Sequence, residues 1–234
     1  MHDEIAIQRD YYRKTADQYD DMHINSDVEH DFALAFMLSM IEFLSIGSML
    51  DIGSGTGRAL LRAKKASQNL KVLGIEPSSE LRKVGYTKGL SQNELIDGDA
   101  QKLDFSDGAF DLVCAFAALH HIPEPSKAVS EMLRVARKAI FISDSNNFGQ
   151  GGFVSRIVKQ TLRSLGLWKV VDSVKTRGRG YMISEGDGLA YSYSVFNDYS
   201  EISRRCKSVH LLNTRPAGIN LYRSASHIAV LGIK

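Results

Sequence analysis

The stretch Met49-Leu50-Asp51-Ile52-Gly53-Ser54-Gly55-Thr56-Gly57-Arg58 decides the fold. A short apolar run reaches an acid, a loop with glycine at alternate positions follows, and a helical pattern opens at Ala59-Leu60-Leu61. Glycine suits such a loop because a residue without Cβ adopts positive φ and lets a ligand lie against the main chain. The first N–H groups of a helix lack intrahelical partners, so they can bind a polar ligand. The stretch therefore predicts a buried strand, a tight ligand-binding loop and a helix N-terminus.

Two details of this loop indicate the chemistry of its ligand. The dinucleotide-binding pattern G-x-G-x-x-G would need its third glycine at Arg58, whereas this loop reads G-x-G-x-G. Asp51 places a carboxylate directly before the loop, where it would attract an ammonium group and repel a pyrophosphate. A glycine-rich loop alone is a weak signal, and a turn without any ligand is the alternative. The pattern favours a zwitterionic, amine-bearing ligand over NAD.

Residues 51–57 resemble the first motif of class I S-adenosylmethionine (SAM) dependent methyltransferases, where this loop holds the amino-acid end of SAM. The resemblance implies an α/β fold with a Rossmann-like, doubly wound sheet of seven strands, in the order 3-2-1-4-5-7-6 and with the last strand antiparallel. It also implies SAM as the cofactor. The expected contacts from this loop are Asp51, Gly53, Ser54, Gly55 and Gly57.

Two further stretches follow in the order that the family requires. The apolar run 70–75 ends in Glu76-Pro77, and a carboxylate at the tip of a second strand can accept hydrogen bonds from both hydroxyls of a ribose. NAD-binding folds place an acid here as well, so Glu76 indicates a nucleoside without choosing the nucleotide. Residues 97–105 resemble the adenine-binding turn of the family. That resemblance implies contacts from the Asp99 carboxylate and the Ala100 N–H, and Pro77 is expected beside them.

The segment after the fourth strand carries the candidate catalytic residues. The apolar strand ends at Phe116, an expected cofactor contact, and residues 117–125 resemble the family segment that lies beside the reactive methyl group. His121, with His120 as the second candidate, is expected to act as a general base toward an oxygen acceptor. A structural role at the pocket floor is the alternative for both. In a quinone-biosynthesis branch, glutamates in this segment help to bind a metal; Ala117 and His120 occupy those positions, so we expect no metal.

The length of 234 residues, of which 44% are hydrophobic, suits one sizeable domain with an elaboration. A capping box at Ser26–Glu29 opens the last helix before the first strand. We expect a single methyltransferase domain, 1–234, with an N-terminal helical cap (1–47), a SAM-binding core (48–144), an inserted lid of a helix and a β-hairpin (145–197), and a closing helix and β-hairpin (198–234). Dinucleotide-binding folds generally lack that closing hairpin.

Tyrosines of the cap and the insertion are candidates for closing the site. The Tyr-Asp pair at Tyr19 resembles the cap of small-molecule methyltransferases, which implies that Tyr19 closes over the cofactor. Tyr12, seven residues earlier, is then expected to line the mouth of the cofactor site with it and is a candidate contact for the substrate. In the predicted hairpin, Tyr191 and Tyr193 share one face and are expected to contact the acceptor. Packing is the alternative for all of these tyrosines. The basic helix 153–165 and the basic residues after it favour an anionic acceptor, with a solvated face or an anionic membrane surface as alternatives.

Composition argues against several other classes of protein. The formal net charge of +2 gives no reason to expect nucleic-acid binding, and two cysteines make neither a disulfide framework nor a metal site. No apolar run reaches the roughly 18 residues of a spanning helix, and the first residues do not read as a signal peptide. We therefore expect a cytoplasmic protein.

These patterns together predict a SAM-dependent methyltransferase that acts on a small molecule. A hydroxyl oxygen of a sugar or secondary metabolite, in particular an anionic one, is the favoured acceptor. A carbon acceptor of the quinone or lipid-linked type is the alternative within this class. A SAM-binding regulator without turnover and an NAD-dependent oxidoreductase are the alternatives from other classes, and the second is disfavoured by Arg58 and Asp51.

Overall fold

The computed structural model of the protein describes residues 4–23, 28–215 and 220–234. The helices are α1 (Glu4–Thr15), α2 (Tyr19–His23), α3 (Val28–Phe43), α4 (Arg58–Ala66), α5 (Ser79–Thr87), α6 (Pro125–Val135), α7 (Phe153–Ser164), α8 (Trp168–Lys175) and α9 (Tyr199–Arg205). The strands are β1 (Ser48–Ile52), β2 (Lys71–Ile75), β3 (Leu95–Ile96), β4 (Phe110–Phe116), β5 (Ala136–Ser145), β6 (Tyr181–Ser184), β7 (Gly188–Tyr191), β8 (Ser208–Asn213) and β9 (His227–Ile233). The capping residue predicted at Ser26 lies outside the described residues.

One seven-stranded sheet organises the molecule, in the order β3-β2-β1-β4-β5-β9-β8. Strands β1 to β5 pair in parallel, β9 runs antiparallel to β5, and β8 pairs antiparallel with β9. This arrangement confirms the predicted α/β fold, strand order and antiparallel strand. The central strands are apolar along their length because helices cover both faces of the sheet.

The hydrophobic core forms two layers, one on each face of the sheet. On one face, Val129, Met132 and Leu133 of α6 are fully buried with side chains of β4 and β5. On the other face, buried side chains of α3 and α4 include Leu34 and Leu60. Strand β1 lies between β2 and β4. The chain adds β2 and β3 on one side of β1 and then crosses to add β4 on its other side, so the strand order reverses at β1. Open α/β sheets bind ligands in the crevice at the carboxyl ends of their strands at this switch point.

The segment after β5 differs in detail from its predicted form. Strand β5 continues to Ser145, because its last residues pair with Ile228 and His227 of β9. The insertion contains a second helix, α8, that the sequence pattern did not predict. Its hairpin is shorter than predicted: β7 ends at Tyr191, and Ser194 then caps a turn by accepting a hydrogen bond from the Phe196 N–H at 3.4 Å.

Helix α1 contacts the β6–β7 hairpin across the opening of the sheet. The Leu189 N–H donates to Gln8 Oε1 at 2.6 Å, and the Tyr191 hydroxyl donates to Glu4 Oε2 at 2.7 Å. The N-terminal helix and the inserted hairpin therefore cover the carboxyl ends of the strands together. Within the part of the chain that the structure describes, no helix has the length and apolar character needed to cross a membrane.

Candidate functional site

The loop between β1 and α4 depends on its glycines for backbone shape and for close packing. Gly53, Gly55 and Gly57 have φ values of +66°, +55° and +84°. A Cβ at Gly53 would lie 2.6 Å from the Ala118 Cβ, and one at Gly57 would lie 2.1 Å from Leu90 Cδ1. Gly53 therefore lets the loop contact the segment after β4, whereas Gly57 leaves room for the Leu90 side chain.

Two adjoining cavities of about 310 Å³ each open at the carboxyl ends of β1, β2 and β4. We call them the histidine cavity, which contains His120, and the Glu76 cavity. The residues that line both are Tyr12, Tyr19, Gly53, Ala117 and His121. Because these residues are shared, a ligand that fills both cavities passes directly beside His121.

The structure brings most of the predicted site residues to these cavities. The histidine cavity adds Asp51, Ser54, Phe116 and His120, and the Glu76 cavity adds Glu76, Pro77, Asp99, Ala100 and Tyr191. Gly55 lies beneath Tyr19, since a Cβ there would be 3.1 Å from the tyrosine hydroxyl. The aromatic rings of Tyr12 and Tyr19 are in edge contact at 5.7 Å, so the predicted pair forms one wall.

Glu76 is buried and holds the glycine loop against the start of the next helix. One carboxylate oxygen accepts a hydrogen bond from the Gly55 N–H at 3.0 Å, and the other accepts one from the Ser78 N–H at 2.8 Å. Burial outweighs these bonds and raises the pKa of Glu76 to about 7. Each oxygen retains a lone pair, which can accept a further hydrogen bond from a ligand hydroxyl.

Asp51 is the second buried acid of the site and is 3% exposed. The weak donor Cys114 contacts it, with Sγ 3.4 Å from Asp51 Oδ1. Burial raises the pKa of Asp51 to about 7. An ionised carboxylate in this position gains a favourable interaction when a cationic group binds next to it.

His120 is held between two carboxylates. Its Nδ1 lies 2.7 Å from Asp144 Oδ1, and its Nε2 lies 3.5 Å from Asp187 Oδ2. Burial favours the neutral ring, but the negative charges of Asp144 and Asp187 dominate and raise the pKa of His120 to about 10. His120 in turn keeps Asp144 ionised despite the burial of this carboxylate, and it lowers the pKa of Asp144 to about 2. His120 is therefore cationic over the physiological range.

His121 has a different environment. Its Nδ1 lies 2.6 Å from the backbone oxygen of Leu189, which can only accept, so the hydrogen of a neutral ring resides on Nδ1. The Nε2 atom is then left as a proton acceptor, 3.4 Å from Asp187 Oδ1. His121 lines both cavities, so its side chain borders the space that a bound ligand would occupy.

Two acids of this cluster were missed by the sequence analysis. Asp187 lies in the glycine-rich turn Glu185–Gly188, which reads locally as an ordinary hairpin turn. Asp144 is the second-last residue of β5. A polar residue at the carboxyl end of a buried parallel strand is the one signal that could have indicated Asp144.

The histidine pair and Asp187 also form a set of potential metal ligands. One ligand atom from each of His120, His121 and Asp187 lies within 4.8 Å of the others. Imidazole and carboxylate groups are common ligands of divalent metals. The expectation that this site holds no metal therefore stays a prediction, and it is tested below together with His121.

Three expectations about the insertion need correction or restriction. Tyr193 is 1% exposed and donates its hydroxyl hydrogen to Asp198 Oδ2 at 3.0 Å, so its predicted contact with the acceptor is wrong. The reason is that β7 ends at Tyr191 and the following backbone turns into the core. Tyr191 lines the Glu76 cavity but not the histidine cavity. Among the described residues, the basic side chains of 153–179 line neither cavity, so they give no support to an anionic acceptor.

Comparison with known proteins places this site in context. Residues 50–142 match the family model described as a methyltransferase domain. The chain is 38% identical over 109 residues to phosphatidylethanolamine N-methyltransferase of Cereibacter sphaeroides, covering 44% of this chain and 52% of that protein. It is 28% identical over 180 residues to an uncharacterized methyltransferase of Bacillus velezensis, covering 73% of this chain and 83% of that protein. The chain thus spans about half of the first relative and most of the second.

Solved structures show the same fold. One is magnesium protoporphyrin IX methyltransferase of Synechocystis with bound S-adenosylhomocysteine, which is 16% identical to this chain. The TM-score is 0.60, and the superposition covers 99% of this chain and 100% of that one. This likeness and the family match agree with the resemblance identified in the sequence.

The residues of the two cavities fit SAM. Gly53 lines both cavities, so a ligand can lie against the backbone of the loop there. Asp51 could receive the ammonium group, and the free lone pairs of Glu76 could receive the ribose hydroxyls. Asp99, whose Oδ1 accepts the Gln101 N–H at 2.9 Å, and Ala100 line the Glu76 cavity and could contact the adenine.

We expect the affinity for SAM to fall as the pH is lowered from 8 to 6. The free protein binds a proton at Asp51 and at Glu76 with pKa values of about 7, and the cationic ligand favours the ionised carboxylates. At pH 6 a group of this pKa is mostly protonated, so each linked carboxylate should raise the Kd about tenfold relative to pH 8. Titration calorimetry over this range measures the effect. The Asp51→Asn variant should bind SAM more weakly, and its Kd should change less between pH 8 and pH 6. A Kd that changes with pH as steeply as in the unchanged protein would contradict the role of Asp51.

Proposed function

Because this chain belongs to the class I SAM-dependent methyltransferases, we propose that it transfers the SAM methyl group to a hydroxyl oxygen of a polar small molecule, with a sugar-like acceptor favoured. The observation that carries the oxygen acceptor is the orientation of His121. Its Nδ1–H is committed to the Leu189 carbonyl at 2.6 Å, so Nε2, which lies 3.4 Å from Asp187 Oδ1, is the nitrogen of the neutral ring that can take a proton. A hydroxyl needs such a base when it attacks, whereas a carbon or neutral amine acceptor needs it less.

When bound, SAM supplies an electrophilic methyl group on its sulfonium. The chain has to align the acceptor with that methyl and exclude water, and such positioning can supply on the order of 7–11 kcal/mol at its limit. Gly53 and Tyr19 would fix the cofactor between the two cavities. His121 Nε2 would take the hydroxyl proton as the new carbon–oxygen bond forms. Cationic His120 would hold Asp187 beside His121, so that the imidazolium formed there has a negative partner.

The remainder of the histidine cavity supports a polar acceptor. Beyond the histidine pair it is lined by Glu29, His30, Arg215 and His227. Glu29 Oε1 lies 2.7 Å from Arg215 Nη2, and the His30 and His227 rings meet at 5.6 Å. These side chains offer both donors and acceptors to a molecule with several hydroxyls. An apolar quinone ring would exclude water from these polar side chains without offering them matching hydrogen bonds, so the lining disfavours the quinone alternative.

An amine acceptor is the second candidate. The Asp187 side chain is 47% exposed and contributes a carboxylate beside the histidine pair, where a ligand ammonium group would be attracted. The Cereibacter relative is named as an N-methyltransferase of a lipid amine. We rank this candidate second because Asp187 already faces both histidines, at 3.4 and 3.5 Å.

The test is to supply SAM labelled with carbon-13 in its methyl group and to locate the label in the product. The protein is incubated with fractionated small molecules and glycolipids, and the carbon chemical shift of the transferred methyl distinguishes oxygen, nitrogen and carbon. A methyl on oxygen supports the proposal, and a methyl on nitrogen or carbon overturns it. Tight SAM binding without transfer to any fraction would favour a regulatory protein instead.

A further inference from the structure

Helix α7 is turned with its polar side toward the body of the protein. Lys159 Nζ donates to the Gln150 carbonyl at 2.8 Å, and Gln160 Nε2 donates to the Phe148 carbonyl at 3.1 Å. The Arg163 guanidinium lies over the Phe148 ring, 4.3 Å from its centroid. A surface helix of a globular domain usually docks through its apolar face instead. The contacts of α7 thus reverse the usual orientation of an amphipathic helix.

As a result, the apolar side chains of α7 and α8 face outward. Exposed fractions reach 70% for Phe153, 72% for Val154 and 75% for Val174. The whole set, which we call the outer apolar surface, consists of Phe153, Val154, Ile157, Val158, Leu165, Leu167, Val170 and Val174. Single exposed apolar residues are ordinary, but a set that recurs on one side of two successive helices marks an interaction surface.

The outer apolar surface is fixed in place rather than free to fold back. Trp168 of α8 packs its ring against Phe148 at 5.2 Å and donates its Nε1–H to Ser192 Oγ at 3.2 Å. Ser192 directly follows β7, the strand whose Leu189 carbonyl orients His121. The two helices are therefore anchored to the same hairpin that reaches the candidate active site.

The rim of this surface is cationic. Residues 153–180 contain a single acid, Asp172, which is half-buried and hydrogen-bonded to Ser192. The basic residues of the same stretch are Arg156, Lys159, Arg163, Lys169, Lys175, Arg177 and Arg179. Lys169, Lys175 and Arg177 are among those that are exposed. Exposed apolar side chains bordered by basic ones, without an outward acid, are the pattern that binds anionic lipid surfaces.

We propose that the outer apolar surface binds the surface of an anionic lipid bilayer, with its apolar side chains at the acyl boundary and its basic rim against the lipid phosphates. A second copy of this chain fits less well. A two-fold interface would bring the same cationic rims together, and like charges facing each other disfavour association. This inference concerns binding alone, so it does not depend on which acceptor is methylated.

The experiment is co-sedimentation of the full chain with unilamellar vesicles of phosphatidylcholine, with and without phosphatidylglycerol. We expect binding to the anionic vesicles that weakens as salt is added. Lys169→Gln combined with Lys175→Gln should lower the partition coefficient about thirtyfold, since each basic residue near the surface contributes roughly a fivefold effect. Ile157→Glu should reduce binding to the anionic vesicles strongly.

Phe43→Glu is the matched control, because Phe43 is 76% exposed on α3 and lies outside the outer apolar surface. It should bind vesicles like the unchanged protein, and circular dichroism checks that each variant is folded. Equal vesicle binding by Ile157→Glu and Phe43→Glu would overturn the proposal, as would no binding of the unchanged protein at low salt. A dimer in analytical ultracentrifugation that Ile157→Glu dissociates, without vesicle binding, would assign the surface to a second copy.

Discussion

Replacing His121 with Asn should lower kcat by roughly 10²–10⁴, the range that a positioned general base contributes. The Asn amide can still donate a hydrogen bond toward the Leu189 carbonyl, which His121 Nδ1 approaches at 2.6 Å, but it offers no basic nitrogen in place of Nε2. We therefore expect the chemical step to slow while the affinity for SAM stays close to that of the unchanged protein. Single-turnover kinetics and titration calorimetry separate the two effects.

His210→Asn is the control for this prediction, because His210 is exposed on β8 and lines neither cavity. It should leave both kcat and SAM affinity unchanged. A loss of SAM affinity in His121→Asn with an unchanged single-turnover rate would show that His121 is structural. Dialysis against a chelator tests the metal prediction: activity that vanishes and returns on adding a divalent metal would make the cluster of His120, His121 and Asp187 a metal site.

Gly53→Ala should destabilise the protein and impair SAM binding together. The new methyl group would lie 2.6 Å from the Ala118 Cβ, and the backbone there has a φ of +66°. We expect the free energy of unfolding to fall by about 2–5 kcal/mol, from roughly 1–2 kcal/mol of left-handed backbone strain and roughly 1–3 kcal/mol of overpacking. Urea unfolding measures the stability, and calorimetry with SAM measures the accompanying loss of affinity.

A second substitution separates the two causes. Ala118→Gly in the Gly53→Ala background removes the atom that the new methyl group meets. The stability lost to overpacking should then be regained, while the stability lost to backbone strain should not. Gly152→Ala is the matched control, since its φ is −69° and no atom lies within 4 Å of its added Cβ. We expect it to change stability by less than about 0.5 kcal/mol. Equal destabilisation by Gly53→Ala and Gly152→Ala would refute this account of the loop.

Much of the cofactor-facing half of the site could be predicted from sequence. The positive φ values of Gly53, Gly55 and Gly57 are properties of the loop itself, and the acids Asp51 and Glu76 stand at strand ends that are visible as apolar runs. These features depend on residues that are neighbours in the chain. The strand order was implied by the resemblance to class I SAM-dependent methyltransferases, and the sheet has that order.

The insertion shows the limit of periodicity. The spacing of apolar residues correctly predicted α7, which the structure places at Phe153–Ser164, yet its apolar side faces solvent. A hydrophobic pattern defines the faces of a helix but not the surface against which either face packs. Tyr193 illustrates the same point, since the alternation that grouped it with Tyr191 ended where the backbone left β7 for the core.

The sequence by itself determined the central strands, the glycine loop and the positions of the acids Asp51 and Glu76 at strand ends, because each of these is specified by a local pattern of strand, turn and helix. Only the tertiary structure decided the surroundings of the histidine pair. Asp144 and Asp187 reach His120 from different strand ends, and the Leu189 carbonyl fixes the proton of His121. Contacts of this kind form when the inserted hairpin closes over β4 and β5, and that closure depends on packing between distant segments that no local pattern encodes.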